Sequence, residues 1–466
     1  MSAAPFEVRS PATGEVVGAA PRSGPAEIDR AVRAAKAAQE RWAALTVYAR
    51  ESATRKATAA GRAQAPAIGL LMARETGKPL AQSVAEVGAS CDLIDFYAAE
   101  GPRLEGRIIP TEKAEYRSLV TYRPVGVAAL IVPWNYPVAL LSWKLGPALA
   151  AGCAAVVKPS PVSPLCTIAF AEALAAGGLP PGLIGTVSGE GADVGEALLA
   201  HPLVDKVAMT GSTATGKAIM RSFGPTLKRI SLELGGHCPA LVLPDADLDL
   251  AAEVIAYKAF RNMGQSCSSI NRIYAHRSVH DALVARTAAA AAKLTIGDGV
   301  TDPAVDLGPM ATRAGREKVA AHVADAVAQG AVVVCGGAPP AGERFARGWY
   351  YQPTVLTDLT PGMRLSREET FGPVAPFAVY DDLDEAVRLA NDTPYGLVSY
   401  IFTRDTGGAA KLADRLEAGT VCVNHGAVNT AHGPYQGWKE SGFGLELGRD
   451  ALWEYLDVRH LKIRER

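Results

Sequence analysis

Apolar residues recur at helical spacing in six alanine-rich stretches, 27–45, 48–75, 167–176, 248–261, 279–294 and 312–329. Between and around them lie short β-branched runs at 126–132, 154–157, 206–209, 240–243, 272–275 and 331–334. Strands alternating with helices predict βαβ units, a parallel sheet and an α/β fold class. Glycine just past an apolar-periodic stretch, as in Gly177-Gly178 and Gln329-Gly330, supplies helix stops. Two segments depart from this rhythm. Residues 104–122 alternate polar and apolar without a helix signal and predict an extended hairpin. Residues 455–464 alternate through Leu456, Val458, His460 and Ile463 and predict a terminal strand whose partner is remote or on another subunit.

The chain has 466 residues, long enough for two or three domains. A hydrophobic content of 48% with 20% charged residues suits a globular enzyme, and a net charge of −1 offers no basic stripe for nucleic acid or an anionic membrane surface. The apolar runs at 125–132 and 148–157 are shorter than the roughly 20 residues needed to cross a bilayer, and the first ten residues lack a secretory pattern, so a cytoplasmic location is expected. Seven scattered cysteines without a C-x-x-C pair exclude a disulfide framework and a structural zinc site, and no metal is expected. Cys153, Cys335 and Cys422 sit in apolar surroundings and read as small core residues. Cys267 instead lies among Gln265, Ser266, Ser268 and Ser269, just after the helix predicted at 248–261. Upstream, Leu232-Glu233-Leu234-Gly235-Gly236 offers a carboxylate. A thiol that attacks a carbonyl and a carboxylate that activates water are two halves of one mechanism.

Four further motifs are ambiguous singly. Val207–Met209 leads into Thr210-Gly211-Ser212-Thr213 and then a helix, a turn that can bind phosphate or merely reverse the chain. Its G-x-x-x-x-G spacing is neither a Rossmann fingerprint nor a P-loop. Pro133-Trp134-Asn135-Tyr136-Pro137 holds an amide between two prolines, either an Asx turn or a rigid donor to developing negative charge. Lys158-Pro159-Ser160 puts a lysine at a strand end, where open α/β sheets bind ligands and where lysines also snorkel. Glu369-Thr370-Phe371-Gly372-Pro373 reads as an acidic loop.

Together, these motifs and Asn262-Met263-Gly264-Gln265-Ser266-Cys267 resemble, in order and spacing, the aldehyde dehydrogenase superfamily of the hydrolytic, NAD(P)-dependent type. The tail Lys439-Glu440-Ser441-Gly442-Phe443-Gly444 is similar as well, and the resemblance spans residues 6–463. It implies that Cys267 is the nucleophile, that Asn135 and the Cys267 backbone N–H hold the oxyanion, and that Glu233 is the base for deacylation. It implies that Lys144 and Glu446 relay the proton from Glu233. Trp134, Lys158, Ser160, Gly191, Gly211, Ser212, Leu234, Glu369 and Phe371 would bind NAD or NADP. Tyr136, Trp143 and Tyr435 fall where relatives build an aromatic substrate funnel, although core packing explains such rings equally well. Ser266, Ser268, His425 and Asn429 would share that funnel, and Arg261 and Arg272 would favour a carboxylated aldehyde if they faced it.

The resemblance further implies a Rossmann-like cofactor domain at 1–104 and 126–234, an α/β catalytic domain at 235–437, and a small β oligomerisation unit at 105–125 and 438–466 of a homodimer or homotetramer. Four positions depart from the family pattern. Pro161 stands where NAD-preferring relatives carry glutamate, so NADP is expected to be at least tolerated. His237 replaces a common lysine, Leu445 an arginine, and Gln436 a glycine. The competing readings are a CoA-acylating semialdehyde dehydrogenase, a cysteine hydrolase and a non-catalytic protein on the same fold.

Overall fold

The computed structural model describes residues 3–189, 191–222 and 227–465. Two sheets dominate, each with its own hydrophobic core. The first is six-stranded, in the order Gly442–Phe443, Arg229–Glu233, Lys206–Thr210, Val127–Ile131, Ala154–Lys158, Ile184–Thr186. All neighbours are parallel except the two-residue edge strand, where Gly442 faces Glu233 and Phe443 faces Leu232. Strand order reverses at Val127–Ile131, which pairs with Ala154–Lys158 on one side and Lys206–Thr210 on the other. The crevice beyond the carboxyl ends at such a switch point is where open α/β sheets take ligands.

The second sheet runs Val332–Cys335, Thr354–Thr357, Val374–Tyr380, Ile270–His276, Cys238–Val242, Val398–Phe402, Thr420–Val423. Only its first pair is antiparallel. Central strands such as Cys238–Val242 are buried throughout and show no alternation, as expected when helices cover both faces. The hairpin expected at 104–122 is present as Arg107–Ile109 and Tyr116–Pro124, and the terminal strand Leu456–Arg464 pairs antiparallel with Tyr116–Pro124. These three strands form a separate sheet that leaves Ile108, Val458, Leu461 and Ile463 exposed.

Three features differ from the sequence expectation. The stretch 48–75 is two helices, Val47–Ala63 and Ala65–Thr76, broken at Gln64 because Pro66 at the start of the second has no N–H to continue the ladder. Helix Pro137–Ala151 is buried on nearly every face, so it lacks the polar stripe by which helical periodicity is read. Residues 438–443, expected with the small sheet, pair elsewhere. Trp438–Lys439 pairs with Tyr395–Gly396, and Gly442–Phe443 edges the six-stranded sheet.

Candidate active site

Helix Leu248–Phe260 ends at Arg261, whose backbone turns extended, and Asn262 and Met263 then take left-handed conformations with φ of 52° and 59°. Asparagine tolerates that region; methionine rarely does. The turn is held by side chains. Asn262 Nδ2 donates to the Asn135 carbonyl at 3.0 Å, Gln265 Nε2 donates to the Asn262 carbonyl at 3.0 Å, and Gln265 Oε1 accepts from Ala311 N at 3.0 Å. Gly264 is also left-handed, and a Cβ there would lie 2.1 Å from the Gly372 carbonyl oxygen. Gly236 has the same constraint from the other side, since its Cβ would meet the Cys267 carbonyl oxygen at 2.0 Å. Motifs far apart in sequence therefore lock one another in place, and Cys267 is delivered between the two large sheets.

Asn135 follows the strand Val127–Ile131 and is buried, with Nδ2 donating to the Gln265 carbonyl at 3.1 Å. One amide hydrogen is thus tethered and the second remains available. Among the described residues, the Cys267 backbone N–H has no acceptor. Burial, reinforced by the negative charge of Glu233, pushes the Cys267 thiol well above its usual pKa. Its Sγ lies 3.9 Å from the Tyr435 hydroxyl.

Glu233 ends the strand Arg229–Glu233, and neither of its carboxylate oxygens has a hydrogen-bond partner. Burial, then repulsion from Glu446, raises its pKa to about 8, while Lys144 opposes the rise. The nearby Cys267 thiol and Thr210 hydroxyl also favour the ionised form, though neither makes a well-aligned hydrogen bond to it. Lys144 is fully buried, 2.7 Å from Glu446 Oε1 and 2.5 Å from Thr210 Oγ1. Glu446 Oε2 is unpartnered, and Glu233, Tyr435 and Glu446 border one tight gap with no room for water. The tail motif fixes this wall, with Leu234 N donating to the Ser441 carbonyl at 2.9 Å and Ser441 Oγ donating to the Gly235 carbonyl at 2.6 Å.

The residues expected to bind cofactor cluster beyond the carboxyl ends of the six-stranded sheet. Lys158 ends its strand and is buried, and among the described residues its ammonium donates only to the Pro159 carbonyl, at 3.5 Å. Burial depresses its pKa. Ser160 Oγ accepts from Val162 N. Gly211 N donates to the Glu233 carbonyl at 3.0 Å, and Ser212, just before helix Thr213–Ser222, shares a hydrogen bond with Thr215. Gly191 opens helix Gly191–Ala200 and is exposed. Leu234 packs over Gly216 of helix Thr213–Ser222. Glu369 Oε1 accepts from Gly236 N at 2.9 Å, and burial raises the pKa of its carboxyl. Phe371, left-handed at φ 55°, stacks edge-on against Trp134 with ring centres 5.6 Å apart. An ammonium without a carboxylate partner among the described residues, a small-residue turn leading into a helix, and a carboxylate with one oxygen free fit a ribose–pyrophosphate–ribose ligand.

A cleft of about 880 Å³ opens on the other side of Cys267. Tyr136, Trp143 and Tyr435 line it, Trp143 and Tyr435 edge-on at 5.3 Å. Ser266, Ser268, Asn429 and Arg261 also face it. Arg272 does not line it; its guanidinium is buried and donates to the carbonyls of His237, Leu389 and Ala390. His425 is likewise absent from the lining. The sequence reading missed Lys258, Tyr257 and the Lys78–Glu86 ion pair, all of which border the cleft, and Thr210, which bonds Lys144. Among the described residues no cluster of His, Cys, Asp and Glu could hold a metal ion.

A sequence model of the aldehyde dehydrogenase family matches residues 1–461. The chain belongs to the aldehyde dehydrogenase family. It is 39% identical over 456 residues to glutarate-semialdehyde dehydrogenase of Pseudomonas aeruginosa, covering 98% of this chain and 93% of the relative. Identity is also 39% over 458 residues to the NADP(+) succinate-semialdehyde dehydrogenase of Escherichia coli, at 98% and 94% coverage. The crystal structure of succinate-semialdehyde dehydrogenase from Burkholderia pseudomallei superposes with a TM-score of 0.95 at 40% identity, covering 99% of this chain and 95% of that one. This aldehyde dehydrogenase is thus an NAD(P)-dependent oxidoreductase acting on aldehydes. No helix among its described residues is long and apolar enough to cross a membrane.

Proposed function

We propose that this aldehyde dehydrogenase oxidises small aldehydes carrying a carboxylate at the far end, releasing dicarboxylic acids. The observation that carries the reading is Arg261. It faces the same cleft as Cys267, and among the described residues no carboxylate pairs with it. Its recorded partner is the Tyr257 hydroxyl. A guanidinium on the wall of a substrate cleft binds a carboxylate in bidentate fashion. The semialdehydes named for the two relatives bear such a group.

In this reading Cys267 gives its proton to water in the open cleft, and its Sγ adds as thiolate to the aldehyde carbon. The oxyanion is held by the free N–H of Asn135 and the backbone N–H of Cys267. When bound, the nicotinamide supplies the hydride acceptor that leaves a thioester on Cys267. Lys158, Ser212 and Glu369 would hold the dinucleotide, with Trp134, Ser160, Gly191, Gly211, Leu234 and Phe371 around it. Glu233 then takes a proton from water, the hydroxide attacks the thioester, and the acid leaves as the Cys267 thiol is restored. Lys144 and Glu446, joined at 2.7 Å, carry the proton from Glu233 outward. The unpartnered carboxylate of Glu233, placed to activate water, favours hydrolysis over transfer to a second thiol. We also infer three parts to the chain: the two large sheets as cofactor and catalytic domains, and the three-stranded sheet as the contact between subunits.

The test compares 4-oxobutanoate with butanal, using both cofactors. Wild-type kcat/KM is expected to favour the oxo-acid by at least about tenfold, one charge-assisted hydrogen bond, and Arg261→Gln to shrink that ratio. Equal kcat/KM for the acid and the neutral aldehyde would sink the proposal.

A further inference from the structure

Lys258 sits one helical turn before Arg261 on the helix Leu248–Phe260, and its side chain turns inward. Its Nζ donates to Ser268 Oγ at 2.9 Å, beside the Tyr400 ring at 5.9 Å. Ser268 directly follows the nucleophile, and its carbonyl is fixed by the Tyr400 hydroxyl at 2.7 Å. Arg261, by contrast, is exposed at the cleft mouth. The two cations therefore sit at different depths on one wall.

The other charges around the cleft are accounted for. Lys78 is paired with Glu86, and Asp92 with Arg62. Glu253, five residues nearer the start of the helix, is exposed to solvent. Among the described residues no carboxylate pairs with Lys258, and a hydroxyl dipole does not balance a partly buried ammonium. Burial holds its pKa below the ordinary lysine value. A lysine at this position of a helix normally snorkels to water. Here the head stays inside, next to the nucleophile, with donor hydrogens to spare.

We propose that Lys258 is the inner anion contact of the cleft, holding the carboxylate of the shortest oxo-acids beside Cys267, while Arg261 at the mouth serves longer ones. The assignment rests on the oxo-acid reading above and adds a rule for chain length. An aldehyde with one methylene before its carboxylate places that charge near the nucleophile, at the depth of Lys258. One with three methylenes carries it toward the mouth.

The test measures kcat and KM of the full-length enzyme with saturating cofactor for 3-oxopropanoate and 5-oxopentanoate, each against the neutral aldehyde of the same carbon count. Lys258→Met is expected to lower the acid-to-neutral ratio of kcat/KM by roughly 10–100-fold for 3-oxopropanoate. The same substitution lowers that ratio by less than about threefold for 5-oxopentanoate, mainly through KM. Lys258→Arg restores part of the short-chain ratio. Arg261→Gln shows the opposite length dependence. Equal losses for acid and neutral substrates in Lys258→Met mean that the lysine only braces Ser268, and overturn the proposal. So does a loss that is independent of chain length. A wild-type enzyme without any preference for oxo-acids overturns the broader reading as well, which separates the two failures. If Lys258→Met does not fold, Lys258→Gln gives the same ratios.

Discussion

Raising the pH from 6 to 9 should switch on Glu233. Its buried carboxyl titrates at about 8. At pH 7 only about one molecule in ten then has the base ionised, and at pH 6 about one in a hundred, each pH unit below the pKa being a factor of ten. Deacylation is expected to rise nearly tenfold per unit below pH 8 and to level above it. The assay is rapid mixing with an excess of aldehyde, following reduced cofactor. A burst reports acylation, and the following linear phase reports deacylation. Glu233→Gln should keep a burst but slow the linear phase by about 10²–10⁴-fold and abolish its alkaline rise. The same titration appears in stability. Because the folded pKa lies above the unfolded 4.5, the fold holds the proton more tightly, and stability falls as pH climbs from about 4.5 to about 8. Removing the carboxylate with Glu233→Gln therefore stabilises by about 5 kcal/mol at pH 9 and little at pH 4, from about 1.4 kcal/mol per pH unit. A linear phase that is flat from pH 6 to 9, or one that rises equally in Glu233→Gln, would refute the assignment of the limb to Glu233.

Asn135→Ala should lower kcat by about 10²–10³-fold, the usual effect of losing one oxyanion donor, checked with circular dichroism to show that the fold is kept. With Pro161 where relatives carry a carboxylate, kcat/KM for NADP is expected within about a hundredfold of that for NAD, a gap of about 2.7 kcal/mol; steady-state kinetics with both cofactors decides, and a larger preference for NAD would sink the idea. The exposed apolar strand carrying Val458 and Leu461 should join subunits into a dimer or tetramer. Light scattering after size exclusion is expected to show that Val458→Asp combined with Leu461→Asp lowers the mass, and an unchanged mass would discard this surface as the contact.

Legibility in the sequence followed how local each signal was. Cys267 stood out because its polar neighbours are adjacent in the chain, and Glu233 because two glycines follow it. The alternation of strands and helices was visible because buried parallel strands are short β-branched runs. The break at Gln64 and the all-round burial of Pro137–Ala151 were not, since each depends on what packs against the helix. Arg261 and Arg272 looked alike in sequence, one lysine-and-arginine helix end and one strand interior, yet one faces the cleft and the other is spent on three carbonyls. Lys258 carried no sequence signal at all, because a lysine on an amphipathic helix ordinarily marks its solvated face.

The same physics links the two halves of the site. Glu233 is buried and Lys258 partly buried; among the described residues the first has no hydrogen-bond partner and the second's ammonium bonds only a hydroxyl. A protein optimised for stability alone would replace both with apolar residues of similar volume. Each group gains its counterpart when the cleft fills: Glu233 a water to deprotonate, Lys258 an anion to hold. Relief of the charge on Lys258 by a substrate carboxylate would occur in the bound complex and persist through acylation, so it tightens binding without selectively lowering the barrier. Relief at Glu233 arises only as water attacks the thioester, so it acts on the deacylation step. That division predicts opposite kinetic signatures, KM for Lys258 and kcat for Glu233, from two residues that serve one nucleophile and share one kind of strain.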